Sequence, residues 1–157
     1  MRIGIAVHSK TGVSLALAEA AAERLRGKGH EVVMMPLEPE GDVQPHQKGV
    51  ILKNAPGCPG FDALLVGGPI WAFGMSPVTL AFASGLGDLA GVKALPFATA
   101  GLRLKLLGGF QGVSALGRIL RGRGARVLPG VVGTAWASRS ASEKDAVVER
   151  IVTLLEG

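Results

Sequence analysis

Six residues near the N-terminus, Ser9-Lys10-Thr11-Gly12-Val13-Ser14, put three hydroxyls and a glycine between a short apolar run and a helical pattern. That combination suits an anion. Free N–H groups at a helix start, the positive end of the helix dipole and Ser/Thr hydroxyls all offer donors to one small volume, which is what a phosphate needs. The plainer reading of Ser or Thr before a helix is an N-cap. Three hydroxyls at alternating spacing with a glycine, directly after a buried strand, favour the anion site. A second cluster lies at Gly67 to Met75, where Trp71 and Phe73 occupy a segment without charge. Rings on an exposed loop stack on planar ligands; the alternative is that these two fold inward over the following helix.

The elements that must carry these residues follow from spacing. Ile3, Ile5 and Val7 with Ala6 make a β-branched run of strand length, buried on both faces and ended by His8-Ser9. Leu17, Ala21 and Leu25 then recur at helical spacing, with Glu19, Glu23 and Arg26 on another face and Gly27 and Gly29 as a stop. Glu31 to Met35 reads as a second strand closed by Pro36. Five prolines between Pro36 and Gly60 argue for a long loop with at most a short helix around Gln47 to Lys53, and a loop of that length is often functional. His8, His30 and His46 show no metal-ligand spacing and read as surface or capping histidines.

Residues 63 to 87 carry no charge and have the length of a membrane span. Gly67-Gly68-Pro69 and Pro77 instead divide them into a third strand (Phe61 to Val66), a loop (Gly67 to Met75) and a helix N-capped by Ser76 and running to about Leu86; no basic cluster flanks them. Lys93 to Thr99 is the fourth strand, and Thr99-Ala100-Gly101 opens its loop. Arg103 and Lys105 beside that loop are either solvated or placed to meet a dinucleotide phosphate. Gly112 to Gly122 is a helix with Val113, Leu116 and Leu120 inward; Arg118, Arg121, Arg123 and Arg126 gather at its end, where cations need no ligand. Arg126 to Gly133 is a fifth strand broken at Pro129-Gly130, the mark of an edge or a bulge. Ser140-x-x-Glu143 and Ser142-x-x-Asp145 are capping boxes for a last helix whose core face is Val148, Ile151, Val152 and Leu155. The expected architecture is one α/β domain over 1–157, a doubly wound five-stranded parallel sheet of order 2-1-3-4-5 with helices on both faces.

A chain of 157 residues, 48% of them hydrophobic, can bury its own core. One cysteine, Cys58, excludes an internal disulfide, a CxxC pair and a cysteine-rich zinc site, and points to a reducing cytoplasm. The N-terminus has no signal-peptide pattern. Net charge is +5, and residues 89 to 142 hold eight basic and no acidic groups. Such a block steers anions: an anionic cofactor, a nicotinamide dinucleotide, an acidic protein or nucleic acid. The phosphate loop GxxxxGK(S/T), the GxSxG elbow and HExxH are all missing from the sequence, and a phosphoacceptor receiver domain would want acidic residues where His8-Ser9 and Gly67-Gly68 stand.

Ser9-x-Thr11-Gly12-x-Ser14 resembles the flavodoxin phosphate loop, Ser/Thr-x-Thr-Gly-x-Ser/Thr, which holds the FMN phosphate. Gly68-Pro69-Ile70-Trp71-Ala72-Phe73-Gly74-Met75-Ser76-Pro77, followed by Leu80-Ala81-Phe82, is similar to the segment that packs against the isoalloxazine ring in flavodoxin-like NAD(P)H-dependent oxidoreductases and flavin reductases. Leu80-Ala81 departs from the Lys or Arg common there, and the chain contains no tyrosine, a usual ring-stacking residue. The resemblance implies FMN bound by Ser9 to Ser14, Gly68 to Gly74 and Thr99 to Gly101, with NADPH or NADH as reductant and a small acceptor such as a quinone. The basic balance fits a reductase better than an acidic electron-carrier flavodoxin. An electron carrier and a flavodoxin-fold binding module without flavin are the other functions open to this sequence; a redox partner protein or a homodimer through the uncharged helix fits it, whereas nucleic acid and a membrane span are not expected.

Overall fold

The computed structural model describes residues 1–54, 56–101, 108–134 and 141–157. Arg103, Lys105 and Ser140 fall outside the described residues. In chain order the elements are β1 (Arg2–Val7), α1 (Val13–Gly27), β2 (Glu31–Pro36), β3 (Ala63–Trp71), β4 (Gly74–Met75), α2 (Pro77–Ser84), β5 (Lys93–Ala100), α3 (Phe110–Gly122), β6 (Arg126–Val127), β7 (Val131–Thr134) and α4 (Ala141–Glu156). β2, β1, β3 and β5 lie side by side in parallel, and β6 and β7 both pair with β5 as two halves of one edge strand broken at Leu128-Pro129-Gly130. With β4 set aside as a hairpin arm on β3, the order is the expected 2-1-3-4-5.

Strand alternation decides which side chain meets which helix layer. Ile3, Ile5 and Val7 of β1, Leu65 of β3, and Leu95 and Phe97 of β5 pack under α1 and α4 with Leu17, Leu25, Ile151 and Leu155. Ala6, Leu64 and Val66 face the other way, toward Val78 and Phe82 of α2 and Leu116 and Leu120 of α3. Both faces are covered, so the strands read as continuous apolar runs. α1 ends where expected: Gly29 takes φ 91°, and the N–H of His30 reaches back to Leu25 O (3.2 Å), a Schellman closure that a Cβ would oppose.

Three expectations are corrected. Gln47 to Lys53 forms no helix; the loop is instead pinned by an antiparallel bridge between Pro39 and Leu52 and by burial of Leu37 and Val43 in the core. Gly67 to Met75 is not a loop. β3 runs on through Gly67-Gly68-Pro69, paired in register with Phe97, Ala98 and Thr99, and turns directly into β4. Glycine here serves close packing: a Cβ on Gly67 would stand 2.3 Å from both the ring and the carbonyl oxygen of Phe97. Ser142 lies inside the first turn of α4, so it is not that helix's N-cap. Ser76 does cap α2, accepting the Val78 N–H at 3.2 Å.

Candidate functional site

Three connections meet at the carboxyl end of the sheet, where the order reverses between β1 and β3 and where open α/β sheets bind ligands. The first is the turn from β1 into α1. Gly12 stands at the N-cap in the left-handed region (φ 91°), so α1 begins with no side-chain cap. A Cβ at Gly12 would meet nothing within 4 Å, which leaves open space before the helix start. The three hydroxyls divide their work. Ser9 Oγ accepts the Gly12 N–H at 3.1 Å and so shapes the turn. Ser14 is buried, its Oγ 2.6 Å from Thr99 Oγ1 at the end of β5. Thr11 is exposed, together with Lys10. An anion at this turn would therefore meet first-turn amides, Thr11 and Lys10, while Ser9 and Ser14 hold the backbone.

The second connection is the hairpin from β3 to β4. Trp71 pairs with Gly74 across it, and the two central residues, Ala72 (φ 47°) and Phe73 (φ 68°), are both left-handed. This is the geometry of a type I′ turn, which matches strand twist but is usually built from Asn and Gly. His46 of the long loop, itself at φ 59°, donates from Nε2 to Ala72 O at 2.7 Å. The tip separates two rings by direction. Trp71 meets the His8 ring edge-on, with centroids 5.2 Å apart, and Lys10 Nζ is 5.8 Å from the Trp71 ring centroid. Phe73 is 57% exposed and, with Gly74 and Met75, lines a cavity between α2, α3 and the long loop.

The third connection leaves β5. Thr99 and Ala100 belong to the strand and are buried, and only Gly101 lies beyond it, exposed. Ile70 and Ala100 likewise point into the core, so they can offer a ligand only backbone groups. Gly68 is the close approach that joins the first two connections: a Cβ there would lie 2.5 Å from Thr79 Oγ1 and 3.2 Å from His8 O.

His8 is where the sequence reading fails most. It is buried rather than on the surface, and its Nδ1 lies 2.6 Å from Ser76 Oγ. Burial, helped by the charge on Lys10, lowers its pKa to about 4, so the ring is neutral at pH 7. Ser76 Oγ accepts the Val78 N–H and at the same time holds His8 Nδ1, so one hydroxyl ties the ring to the start of α2. The available clue was position, a histidine closing a buried parallel strand.

No protein-family model matches the sequence, and no curated protein matches it. Solved structures do match in shape. Oxidised Flavodoxin 2 from Bacillus cereus superposes with a TM-score of 0.77 at 22% identity, over 99% of each chain. A flavodoxin of Streptococcus pneumoniae gives 0.69 at 15% identity over 99% of this chain and 98% of that one. Rubredoxin oxygen:oxidoreductase from Desulfovibrio gigas gives 0.66 at 17% identity, with 99% of this chain covering 35% of that longer one. This is an α/β chain with its loops gathered at a topological switch point. Its fold is the flavodoxin fold.

Proposed function

We propose that the chain binds FMN across the carboxyl ends of β1, β3 and β5 and serves as an electron-transferring flavoprotein. The observation that carries this is convergence. The uncapped start of α1, Trp71 and the end of β5 are tied to one edge by the Ser14–Thr99 and His8–Trp71 contacts. The names of the matching structures, flavodoxins among them, support the same cofactor. In this reading the turn Ser9 to Ser14 holds the phosphate, the segment Gly68 to Gly74 with Trp71 borders the ring, and Thr99 to Gly101 add backbone groups opposite. FMN, when bound, supplies the hydride or single-electron chemistry. The chain orients it: Ser14 and Thr99 fix the spacing of two loops, and neutral His8 seats Trp71 without adding charge.

The finer reading is an oxidoreductase in which NADPH or NADH gives electrons and a small acceptor such as a quinone takes them. The net charge of +5 supports it by drawing an anionic dinucleotide. An electron carrier reduced by another protein is the second reading, favoured by the nearly end-to-end match to flavodoxins. One spectrum separates these. FMN is added to the purified protein, excess is removed, and NADPH follows under anaerobic conditions. Retained flavin bands that bleach support the oxidoreductase; retained bands that persist support the carrier. Loss of all flavin absorbance overturns the cofactor assignment.

A further inference from the structure

α2 is an eight-residue surface helix without a single charged residue, PVTLAFAS. Surface helices ordinarily carry polar side chains on the outer face. Here Leu80 and Ala81 form one wall of a cavity of about 950 Å³, with Ala115 and Ile119 of α3 opposite and Phe73 and Met75 of the hairpin closing one end. The volume suits a small-molecule ligand. The rim is one-signed. Lys48 from the long loop and Arg118 from α3 both border the cavity, no acidic residue lines it among the described residues, and neither cation has an acidic partner there.

From this geometry we propose a second binding site, for a small amphipathic anion whose apolar body lies along Leu80, Ala81, Ala115 and Ile119 and whose carboxylate or phosphate meets Arg118 and Lys48. A second copy of the chain is a poorer occupant. A two-fold contact would set trough against trough, leaving a hollow, and would bring like charges of both copies together. The cavity shares the hairpin with the proposed FMN edge: Trp71 meets His8, while Phe73 lines the cavity.

The test is isothermal titration of the whole chain with dodecanoate and with dodecyltrimethylammonium, which share an apolar tail and differ in the sign of the head. Saturable one-to-one binding of dodecanoate alone is expected, weakened at least tenfold by Lys48→Glu with Arg118→Glu and abolished by Ala115→Trp, which fills the trough. The two charge reversals are at exposed positions and leave the fold intact. No saturable binding, equal binding of the cation, or unchanged affinity in the charge-reversed protein overturns the proposal. So does a dimer in sedimentation velocity that Ala115→Trp converts to monomer, because the face would then belong to a second copy.

Discussion

Ser14 Oγ and Thr99 Oγ1 stand 2.6 Å apart, both buried, joining residues 85 positions apart in the chain. The bond fixes the start of α1 against the end of β5, the two sides of the candidate site. Removing either hydroxyl leaves the other buried without a partner, at a cost of about 1–3 kcal/mol. Ser14→Ala and Thr99→Val are each expected to destabilise by that amount in urea unfolding, and the double variant by clearly less than the sum. Strict additivity would show that the hydroxyls do not interact.

His8 predicts an acid limb of stability. The unfolded chain takes up a proton near pH 6.5, while the folded ring resists until about pH 4, so between those values the unfolded state holds more protons and stability is lost as the pH is lowered. At 1.36 kcal/mol per pH unit of displacement the loss is at most about 3 kcal/mol, and less after solvent screening. Urea midpoints measured from pH 7 to 5 should decline in the wild type and stay flatter in His8→Gln.

Gly67 faces Phe97 with no room for a methyl group, since a Cβ would lie 2.3 Å from the ring and the carbonyl oxygen. Gly67→Ala should cost about 1–3 kcal/mol by overpacking. Phe97→Leu in the same background should recover only part of this, because the carbonyl stays; full recovery would place the clash in the ring alone.

At the hairpin tip, Ala72 and Phe73 occupy left-handed positions that Asn and Gly fill at lower cost. Ala72→Asn with Phe73→Gly is expected to raise stability by about 1 kcal/mol, or a Tm by roughly 2–4 °C. A fall in Tm would show that Phe73 contributes more through packing than its backbone costs.

For the proposed phosphate turn, Thr11→Glu sets a negative charge beside the start of α1. It should weaken FMN binding at least tenfold, read by flavin fluorescence, while thermal stability holds or rises through the helix dipole by about 0.3–1 kcal/mol. Unchanged affinity would remove the turn from the site.

By itself the sequence determined the elements and their buried faces, because these rest on local periodicity: Ile3, Ile5 and Val7 alternate, Leu17, Ala21 and Leu25 recur at helical spacing, and all six are buried. The strand order followed from the alternation of strands and helices along the chain. It also brought out the turn Ser9 to Ser14, since a hydroxyl-rich break between strand and helix is a local signal. Only the tertiary structure decided how those hydroxyls are used. Ser14 turns inward because Thr99 arrives from a strand 85 residues away, and no local pattern records that meeting. The same holds for Gly67-Gly68-Pro69, which reads as a loop by composition. It becomes strand because β5 supplies a ladder along one side and Phe97 fills the space a side chain would need. His8 is the sharpest case: its hydrogen bond to Ser76 and its contact with Trp71 depend on long-range sheet pairing that sets those residues beside it, and the burial that follows, with the charge on Lys10, keeps its ring neutral.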